Sequence, residues 1–337
     1  MHSECILPNA VTFTSILKAC ANIGDVDKGK QIHVKIASRC FLEKDIVLGT
    51  ALVDMYAKCG ALAKAKQVHD EFCVRDVVSW SALIAGYAQQ GEGHESLKCY
   101  ETMQGEGLLP DAVTYICTLK ACSIIKNMGQ GQEIHAEIVK RGLFESDVVL
   151  GNALLDMYAK SGFLHDAKRI FELLLIRDEI AWNVLMEGYV GHGHSKEALT
   201  CFKAMKLDGV LPSPVTFVSV LKACGDLKDT GKGDEIHADI IRHGLLQTDS
   251  FLGSALIDMH IKQGLPATAQ EVFDKLVVRD TVMWNIIIAG YVEHGQSKDA
   301  LVCFEQMQLE TIAPDSVTLV LSLKACGSIG AKEQGRL

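Results

Sequence analysis

Positive charge is scarce in this sequence, and several signatures of common protein classes are missing. Of its 337 residues, 33 are lysine or arginine and 42 are aspartate or glutamate, so the net charge is −9. No apolar run approaches the 18 or so residues that span a bilayer, which argues against a membrane protein. The 12 cysteines include no C-x-x-C pair, so the usual signature of structural zinc is lacking.

Proline is also rare, and four of the six prolines mark a repeat. They stand 102 residues apart, at Pro8, Pro110, Pro212 and Pro314. A Val-Thr dipeptide recurs at the same spacing, beginning at Val11, Val113, Val215 and Val317. A fixed period over the whole chain is typical of solenoid proteins rather than of globular enzymes.

Each 102-residue block divides into three segments of unequal length. In the second block they are Val77–Asp111, Ala112–Asp147 and Val148–Asp178, with 35, 36 and 31 residues. Within the 35-residue segment, apolar residues at helical spacing stop near Gly91 and then resume until Pro110, which predicts a helix, a turn and a second helix. The two apolar stripes are Trp80, Leu83, Ile84 and Tyr87, and then Leu97, Tyr100 and Met103.

The same division covers the whole chain. We predict an all-α fold of nine whole hairpins and two partial ones, stacked into one superhelical solenoid, because each hairpin has apolar faces that it cannot bury alone. The segments are 1–9 (partial), 10–45, 46–76, 77–111, 112–147, 148–178, 179–213, 214–249, 250–280, 281–315 and 316–337 (partial).

Both ends predict a fragment of a longer protein. The first nine residues align with the end of a 35-residue segment, so we interpret Met1 as an internal methionine. Residues 316–337 are expected to form one helix and the start of a second, with the protein continuing beyond Leu337.

Motifs that resemble catalytic or metal sites are weak, and we predict neither an enzyme nor a cofactor. Gly24–Gln31 nearly spells a phosphate-binding loop, but Gln31 replaces the Ser/Thr that would hold magnesium. His135-Ala136-Glu137 lacks the P-C-x-x-C partner of zinc deaminases. His192 and His194 lie in a predicted turn. Cysteines that recur every 102 residues are too far apart in a solenoid for disulfides, and free cysteines fit a reducing compartment.

Several phrases resemble the pentatricopeptide repeat family of plant organelles. They are Val77-Val78-Ser79-Trp80-Ser81-Ala82-Leu83-Ile84-Ala85-Gly86-Tyr87, Ala153-Leu154-Leu155-Asp156-Met157-Tyr158-Ala159-Lys160 and Ile134-His135-Ala136. The lengths of 35, 36 and 31 residues resemble the P, L and S repeat types of the PLS subclass. The resemblance implies a right-handed superhelical solenoid of stacked helix-turn-helix repeats that reads single-stranded RNA, about one base per repeat.

The resemblance also implies which residues read the bases, namely the fifth and the last residue of each repeat. The matching pairs are Thr14 with Asp45, Thr50 with Asp76, Ser81 with Asp111, Asn152 with Asp178, Asn183 with Ser213, Ser254 with Asp280, and Asn285 with Asp315. Thr50 with Asp76, Ser81 with Asp111 and Ser254 with Asp280 resemble guanine readers, the two pairs of Asn and Asp resemble uracil readers, and Asn183 with Ser213 resembles a cytosine reader. Thr14 with Asp45 could read a base but is assigned none. The other 36-residue segments depart from the pattern, because Ile116, Val218 and Val320 cannot hydrogen-bond to a base edge.

The second residue of each repeat would wedge between neighbouring bases. The matching residues are Val47, Val78, Val149, Ile180, Phe251 and Val282. Since the family binds RNA parallel to the chain, the hypothesis is a target of the form 5′-GGNUCNGU. Two plainer interpretations stay open at these positions: the wedge residues could belong to the hairpin core, and the terminal Asp residues could cap the next helix.

The net charge of −9 conflicts with RNA binding, since nucleic-acid binders usually carry a basic surface. Lysines that recur every 102 residues could line the groove, namely Lys18, Lys120, Lys222 and Lys324. A protein-interaction scaffold without RNA readout is the alternative function. The resemblance implies a monomeric specificity module for C-to-U editing or another RNA modification in mitochondria or chloroplasts, with a deaminase or other editing proteins supplying the chemistry.

Overall fold

The computed structural model describes residues 8–38, 45–72, 74–144, 147–247 and 250–334, with the side chains of these residues except Gln247 and those beyond residue 330. Within these residues the chain forms 19 α-helices and no strand. Of the predicted partial segment 1–9, only Pro8 and Asn9 are described. The prediction of an all-α fold is confirmed.

The chain divides into two compact units, the first ending at Ile176 and the second beginning at Arg177. The helices of the first unit are α1 (Ala10–Ile23), α2 (Val26–Ala37), α3 (Ile46–Lys58), α4 (Leu62–Asp70), α5 (Val77–Gln89), α6 (Gly93–Gly105), α7 (Ala112–Ile125), α8 (Met128–Lys140), α9 (Val148–Lys160) and α10 (Leu164–Leu173).

The second unit contains the other nine helices and a short 3₁₀ turn. They are α11 (Glu179–Gly191), α12 (Ser195–Leu207), α13 (Pro214–Leu227), α14 (Thr230–Arg242), the 3₁₀ turn Leu245–Gln247, α15 (Ser250–Lys262), α16 (Pro266–Lys275), α17 (Thr281–Glu293), α18 (Ser297–Leu309) and α19 (Ser316–Gln334).

Within each unit the helices pack as antiparallel hairpins in two layers. In the first unit the odd-numbered helices form a row, in which α1 packs on α3, α3 on α5, α5 on α7, and α7 on α9. Each even-numbered helix packs against the helix before it and so forms the second layer. In the second unit the row runs from α11 through α13, α15 and α17 to α19. These rows give the stacked-hairpin arrangement expected of a repeat protein.

The hairpin over residues 77–105 illustrates how the sequence specifies these helices. Asp76 caps α5, and Ser79 completes a capping box by accepting the backbone N–H of Asp76. Gly91 then takes φ +82°, a left-handed conformation that glycine adopts without steric cost, and α6 begins at Gly93. The apolar side chains of both predicted stripes are buried at 6% exposure or less, which confirms that they form the core.

Neighbouring helices of the odd-numbered row approach closely at glycines. A Cβ atom on Gly86 of α5 would overlap the side chain of Ala57 on α3, and one on Gly290 of α17 would overlap Ile261 on α15. These glycines therefore allow the helices of the row to lie in direct contact.

One helix is longer than expected. The sequence predicted a break within residues 316–337, but α19 runs without interruption from Ser316 to Gln334. In the corresponding place α13 ends before Lys228, which has φ +54°. Glycine stands at that register in α19, at Gly330, and glycine tolerates the helical conformation as well as the left-handed one.

Candidate nucleic-acid interface

The predicted reader at the end of a segment caps the following helix. The Asp76 carboxylate accepts the N–H of Ser79 at 2.8 Å, and the Asp178 carboxylate accepts that of Ala181 at 2.9 Å. Five more side chains accept a backbone N–H three residues later in the same way: Asp45 from Leu48, Asp111 from Thr114, Ser213 from Thr216, Asp280 from Met283, and Asp315 from Thr318. The N-cap role that the sequence left open is therefore present at all seven predicted terminal positions.

The second and fifth residues of a segment lie one turn apart on the same face of its first helix. The six predicted wedge residues are not part of the core, because all are well exposed. Val282 is the least exposed at 58% and Phe251 the most at 78%. Within each unit these exposed apolar residues lie on the helix face that carries the fifth residues.

A groove in the first unit brings several predicted residues together. It has a volume of about 480 Å³ and is lined by residues of α1, α3, α5 and α7 and of their N-caps. The predicted readers that line it are Thr14, Thr50, Asp76, Ser81 and Asp111. Val47, Val78 and Lys18 also line it, so polar readers, apolar wedges and one cation share a single concavity.

At the end of each complete 35-residue segment, the fifth and last residues meet a threonine of the next segment. In the second unit, Asn285 Nδ2 donates to both carboxylate oxygens of Asp315 at 3.1 Å, and Thr318 Oγ1 donates to Asn285 Oδ1 at 2.6 Å. The amide N–H of Thr318 and the Asn285 side chain hold the pKa of Asp315 below its usual range. Asp315 therefore stays ionised and accepts from Asn285.

The other two 35-residue segments have the same three positions in contact. Ser81 Oγ lies 2.6 Å from Thr114 Oγ1 and 3.4 Å from Asp111 Oδ1. Thr216 Oγ1 donates to Asn183 Oδ1 at 2.7 Å. Asn183 differs in that its Nδ2 donates to Glu179 Oε1 at 3.1 Å instead of to the last residue, which is Ser213.

The 31-residue segments hold their readers differently. Within the described residues no hydrogen bond joins Thr50 to Asp76 or to Ser79, whose hydroxyl is used in the capping box. Ser254 Oγ donates to the backbone carbonyl of Ser250 at 3.1 Å, and the residue at the threonine register is Met283. Asn152 is buried, at 8% exposure.

The 36-residue segments present apolar fifth residues, as the sequence indicated. Ile116 and Val218 are half-buried, whereas Val320 is 51% exposed. Thr14 is the exception, and its hydroxyl donates to the carbonyl of Ala10 at 3.0 Å.

The four recurring lysines are all exposed. None of them forms an ion pair within the described part of the chain, so their charges are not neutralised by a neighbouring carboxylate. Lys18 lines the groove beside Thr14. The groove also contains Asp54, Asp76 and Asp111, so Lys18 is a single cation among carboxylates there.

Two sets of residues at this surface were not singled out from the sequence. One is the buried threonines Thr114, Thr216 and Thr318, and the other is the exposed second residues of the 36-residue segments, Val11, Val113, Val215 and Val317. Both sets lie in the Val-Thr dipeptide that marks the period. The recurrence could have located them, but only packing reveals that the threonine hydroxyl reaches the preceding segment.

The motifs that resembled catalytic or metal sites take structural positions. His135 lies within α8, where its Nδ1 is 2.9 Å from the Tyr158 hydroxyl, and burial lowers its pKa. His192 Nδ1 lies 2.9 Å from the Gly188 carbonyl. No cluster of metal-ligating side chains occurs among the described residues. In the same part of the chain, none of the helices has both the length and the apolar character of a membrane span.

Comparison with known proteins identifies the repeats. The PPR repeat family matches residues 75–123, 177–226 and 279–328, and the PPR repeat itself matches residues 11–41 and 152–178. Together these matches cover more than half of the chain. They include the ends of all the complete 35-residue segments.

The similar curated proteins come from Arabidopsis thaliana and are pentatricopeptide repeat-containing proteins. One is 36% identical over 100% of this chain and 53% of its own length. A second, named as mitochondrial, is 35% identical over 96% of this chain and 38% of its own length. A third, named as chloroplastic, is 34% identical over 99% of this chain and 54% of its own length. The chain therefore spans about half the length of these relatives, or less.

A solved structure has the same fold. It is the pentatricopeptide repeat protein PPR10 in complex with an 18-nucleotide psaJ RNA element, with a TM-score of 0.76 and 19% sequence identity. The match covers 96% of this chain and 48% of that one.

Proposed function

This chain belongs to the pentatricopeptide repeat family, and from that premise we propose that it binds single-stranded RNA in a sequence-specific way, about one base per repeat. The groove of the first unit carries the proposal, because polar side chains at the fifth and last positions line it beside exposed valines and Lys18. A base held in such a groove needs polar groups for its edge, apolar contact for its faces and a cation for its phosphate.

The proposed target is 5′-GGNUCNGU, read from residue 46 onward. Thr50 with Asp76 and Ser81 with Asp111 would select the two leading guanines. Asn152 with Asp178, Asn183 with Ser213, Ser254 with Asp280 and Asn285 with Asp315 would then select U, C, G and U. The unspecified bases lie opposite Ile116 and Val218, and the wedges would be the six exposed second residues.

The terminal Asp residues can cap a helix and contact a base with the same carboxylate, which supports this assignment. Each cap bond engages one carboxylate oxygen with the backbone of the next helix, as Asp111 does with Thr114. A carboxylate has about four acceptor sites, so a cap still leaves capacity for a base or a bridging water. Capping thus holds the reader in place without using up its hydrogen-bonding capacity.

We also propose that the eleven segments defined by the sequence are the functional units of the chain. They would act together as one repeat array. The protein would act as a monomeric specificity module for C-to-U editing or another modification of organelle RNA. The chemistry would come from a deaminase or another editing protein. Mitochondrion and chloroplast are the proposed locations, since both are named among its relatives.

A protein-interaction scaffold is the second candidate, favoured by the net charge of −9. An acidic array of hairpins could hold a basic partner protein without touching RNA. The two candidates differ in what they require of the groove, because only RNA readout depends on the identity of the bases.

The test is a titration of the protein with labelled GGNUCNGU RNA at low and moderate salt. A scrambled RNA of equal composition and the corresponding DNA serve as competitors. RNA readout requires tighter binding to the proposed sequence than to either competitor. Equal binding to all three, or none, would contradict it and direct attention to protein partners.

A single substitution sharpens the test at one base. Asn183→Thr should weaken the preference for cytosine at the fifth nucleotide of the target without unfolding the array, since Asn183 is only half-buried. An unchanged preference in a folded variant would contradict the assignment of that segment.

A further inference from the structure

The threonine at the third position of the 36-residue segments lies where it can orient the reader of the preceding segment. Thr114, Thr216 and Thr318 are completely buried, at 0% exposure. A buried hydroxyl needs a partner, and each of the three finds it on the fifth residue of a 35-residue segment.

At Asn285 the surrounding groups determine which way the amide points. An ionised carboxylate only accepts hydrogen bonds, so the side of the amide facing Asp315 must be the NH₂ group. The opposite side is then the carbonyl oxygen, and it receives the proton of Thr318 Oγ1. Thr318 Oγ1 also lies 2.9 Å from Asp315 Oδ1 and accepts the backbone N–H of Asp315 at 3.2 Å. Because an amide oxygen cannot donate, the 2.6 Å contact with Asn285 requires the proton of the threonine hydroxyl.

At Asn183 the equivalent threonine, Thr216, also donates to the amide oxygen, although the last residue of this segment is Ser213 instead of an aspartate. Thr216 Oγ1 accepts the backbone N–H of Ser213 at 3.1 Å and donates to Asn183 Oδ1. The Nδ2 group turns to Glu179. The threonine contact is therefore common to both asparagines, whereas the partner of the amide nitrogen changes.

At Ser81 the threonine acts on a hydroxyl instead of an amide. Thr114 Oγ1 donates to Asp111 Oδ1 at 2.7 Å, which leaves its lone pairs to accept from Ser81. The carbonyl of Val77, at 2.7 Å from Ser81 Oγ, is the other acceptor for the serine proton. In either case the proton of Ser81 is directed into the protein.

We propose that Thr114, Thr216 and Thr318 are positioning residues that fix which hydrogen-bonding group each 35-residue segment presents to a base. This inference rests on the proposed RNA-binding function. Asn285 then keeps its NH₂ group, a donor, on the side of Asp315, and Ser81 offers its oxygen lone pairs as an acceptor. Without the threonine, an asparagine amide could turn over and exchange donor for acceptor, which would blur the choice between two pyrimidines.

The experiment compares Thr318→Val with Thr318→Ser. Valine keeps the shape but removes the hydroxyl, whereas serine keeps it. The readout is the ratio of the affinities for GGNUCNGU RNA and for the same RNA with cytosine in the last position. We expect Thr318→Val to lower this ratio about three- to tenfold, the value of one neutral hydrogen bond, and Thr318→Ser to preserve it. Ser79→Ala is the matched control, because Ser79 occupies the same register but does not bond to Thr50.

The outcomes separate this inference from the function on which it rests. If the unsubstituted protein discriminates the two RNAs and Thr318→Val discriminates equally well, the positioning role is wrong and RNA readout stands. If the unsubstituted protein does not discriminate them, the proposed function fails and the inference fails with it.

A second variant covers the case in which Thr318→Val does not fold. Thr216→Val should lower the preference for cytosine over uracil at the fifth nucleotide by a similar factor. The side-chain NH₂ resonances of Asn183, observed by NMR in the RNA-free protein, give an independent readout. They should shift and broaden in Thr216→Val and stay sharp in Thr216→Ser, and an unchanged spectrum in Thr216→Val would overturn the proposal.

Discussion

The 35-residue and 31-residue segments carry the same kinds of reader, but the protein holds them in different ways. Ser81 and Ser254 are both fifth residues paired with an aspartate. Ser81 contacts Thr114 and Asp111 across the segment boundary, whereas the hydrogen bond of the Ser254 side chain within the described residues is to its own helix, at Ser250. The difference arises from the third residue of the following segment, which is Thr114 in one case and Met283 in the other. Reader identity alone therefore does not define a site.

The largest expected effect is on stability, when the capping aspartate is removed from each kind of site. Asp111→Ala removes the acceptor of the Thr114 N–H and the Thr114 hydroxyl, whereas Asp280→Ala removes only the cap of Met283. We expect losses of about 2 kcal/mol and about 1 kcal/mol respectively. Urea unfolding followed by circular dichroism measures both, and equal losses would show that the threonine network adds nothing.

An exchange of readers should have the next largest effect. Asn285→Ser recreates the Ser81 arrangement beside Thr318, so the preference at the last nucleotide should move from uracil to guanine by about tenfold. Ser254→Asn, the reverse exchange in a 31-residue segment, should produce a smaller change at the seventh nucleotide because no threonine orients the new amide. Competition binding with the four bases at each position tests the comparison. A larger change in base preference for Ser254→Asn than for Asn285→Ser would contradict the role given to the threonine.

A lysine in the groove should contribute to RNA affinity equally, whether a 35-residue or a 31-residue segment reads the base. Lys18→Ala removes a cation that lines the groove, so binding to every RNA should weaken about threefold and the salt dependence should decrease by about 0.7 in slope. Lys30, which pairs with Asp27 on α2, provides the control, and its substitution should change neither quantity. Loss of base preference in Lys18→Ala would contradict a purely electrostatic role.

The smallest effect is a titration at one site. Hydrogen bonds to Asp315 lower its pKa from the usual 3.8, so they stabilise the folded state above that pH and are lost as the pH falls through the lower, folded value. The Asn285 NH₂ signals in NMR should therefore stay constant from pH 7 to pH 4 and change only below that. A change near pH 5 would contradict the hydrogen-bonded state of Asp315, and Asp315→Asn should abolish the titration.

Much of the fold was predictable because its signals are local and repeated. Trp80, Leu83, Ile84 and Tyr87 follow helical spacing, and all of them are buried as expected. The exception is α19, because a break was expected within residues 316–337 and the helix instead continues to Gln334. Gly330 stands at the register where α13 ends, and glycine adopts both the helical and the left-handed conformation, so the residue type alone does not show whether the helix ends there.

The period, the helical hairpins and the positions of the fifth, second and last residues follow from the amino-acid order, because helix spacing and caps depend on near neighbours in the chain. Which of these residues meet depends on how the helices pack. Thr318 is 33 residues from Asn285, and nothing in either local pattern predicts that the hydroxyl and the amide lie 2.6 Å apart. That contact exists because α17 packs on α19, and packing between helices is set by the faces of both.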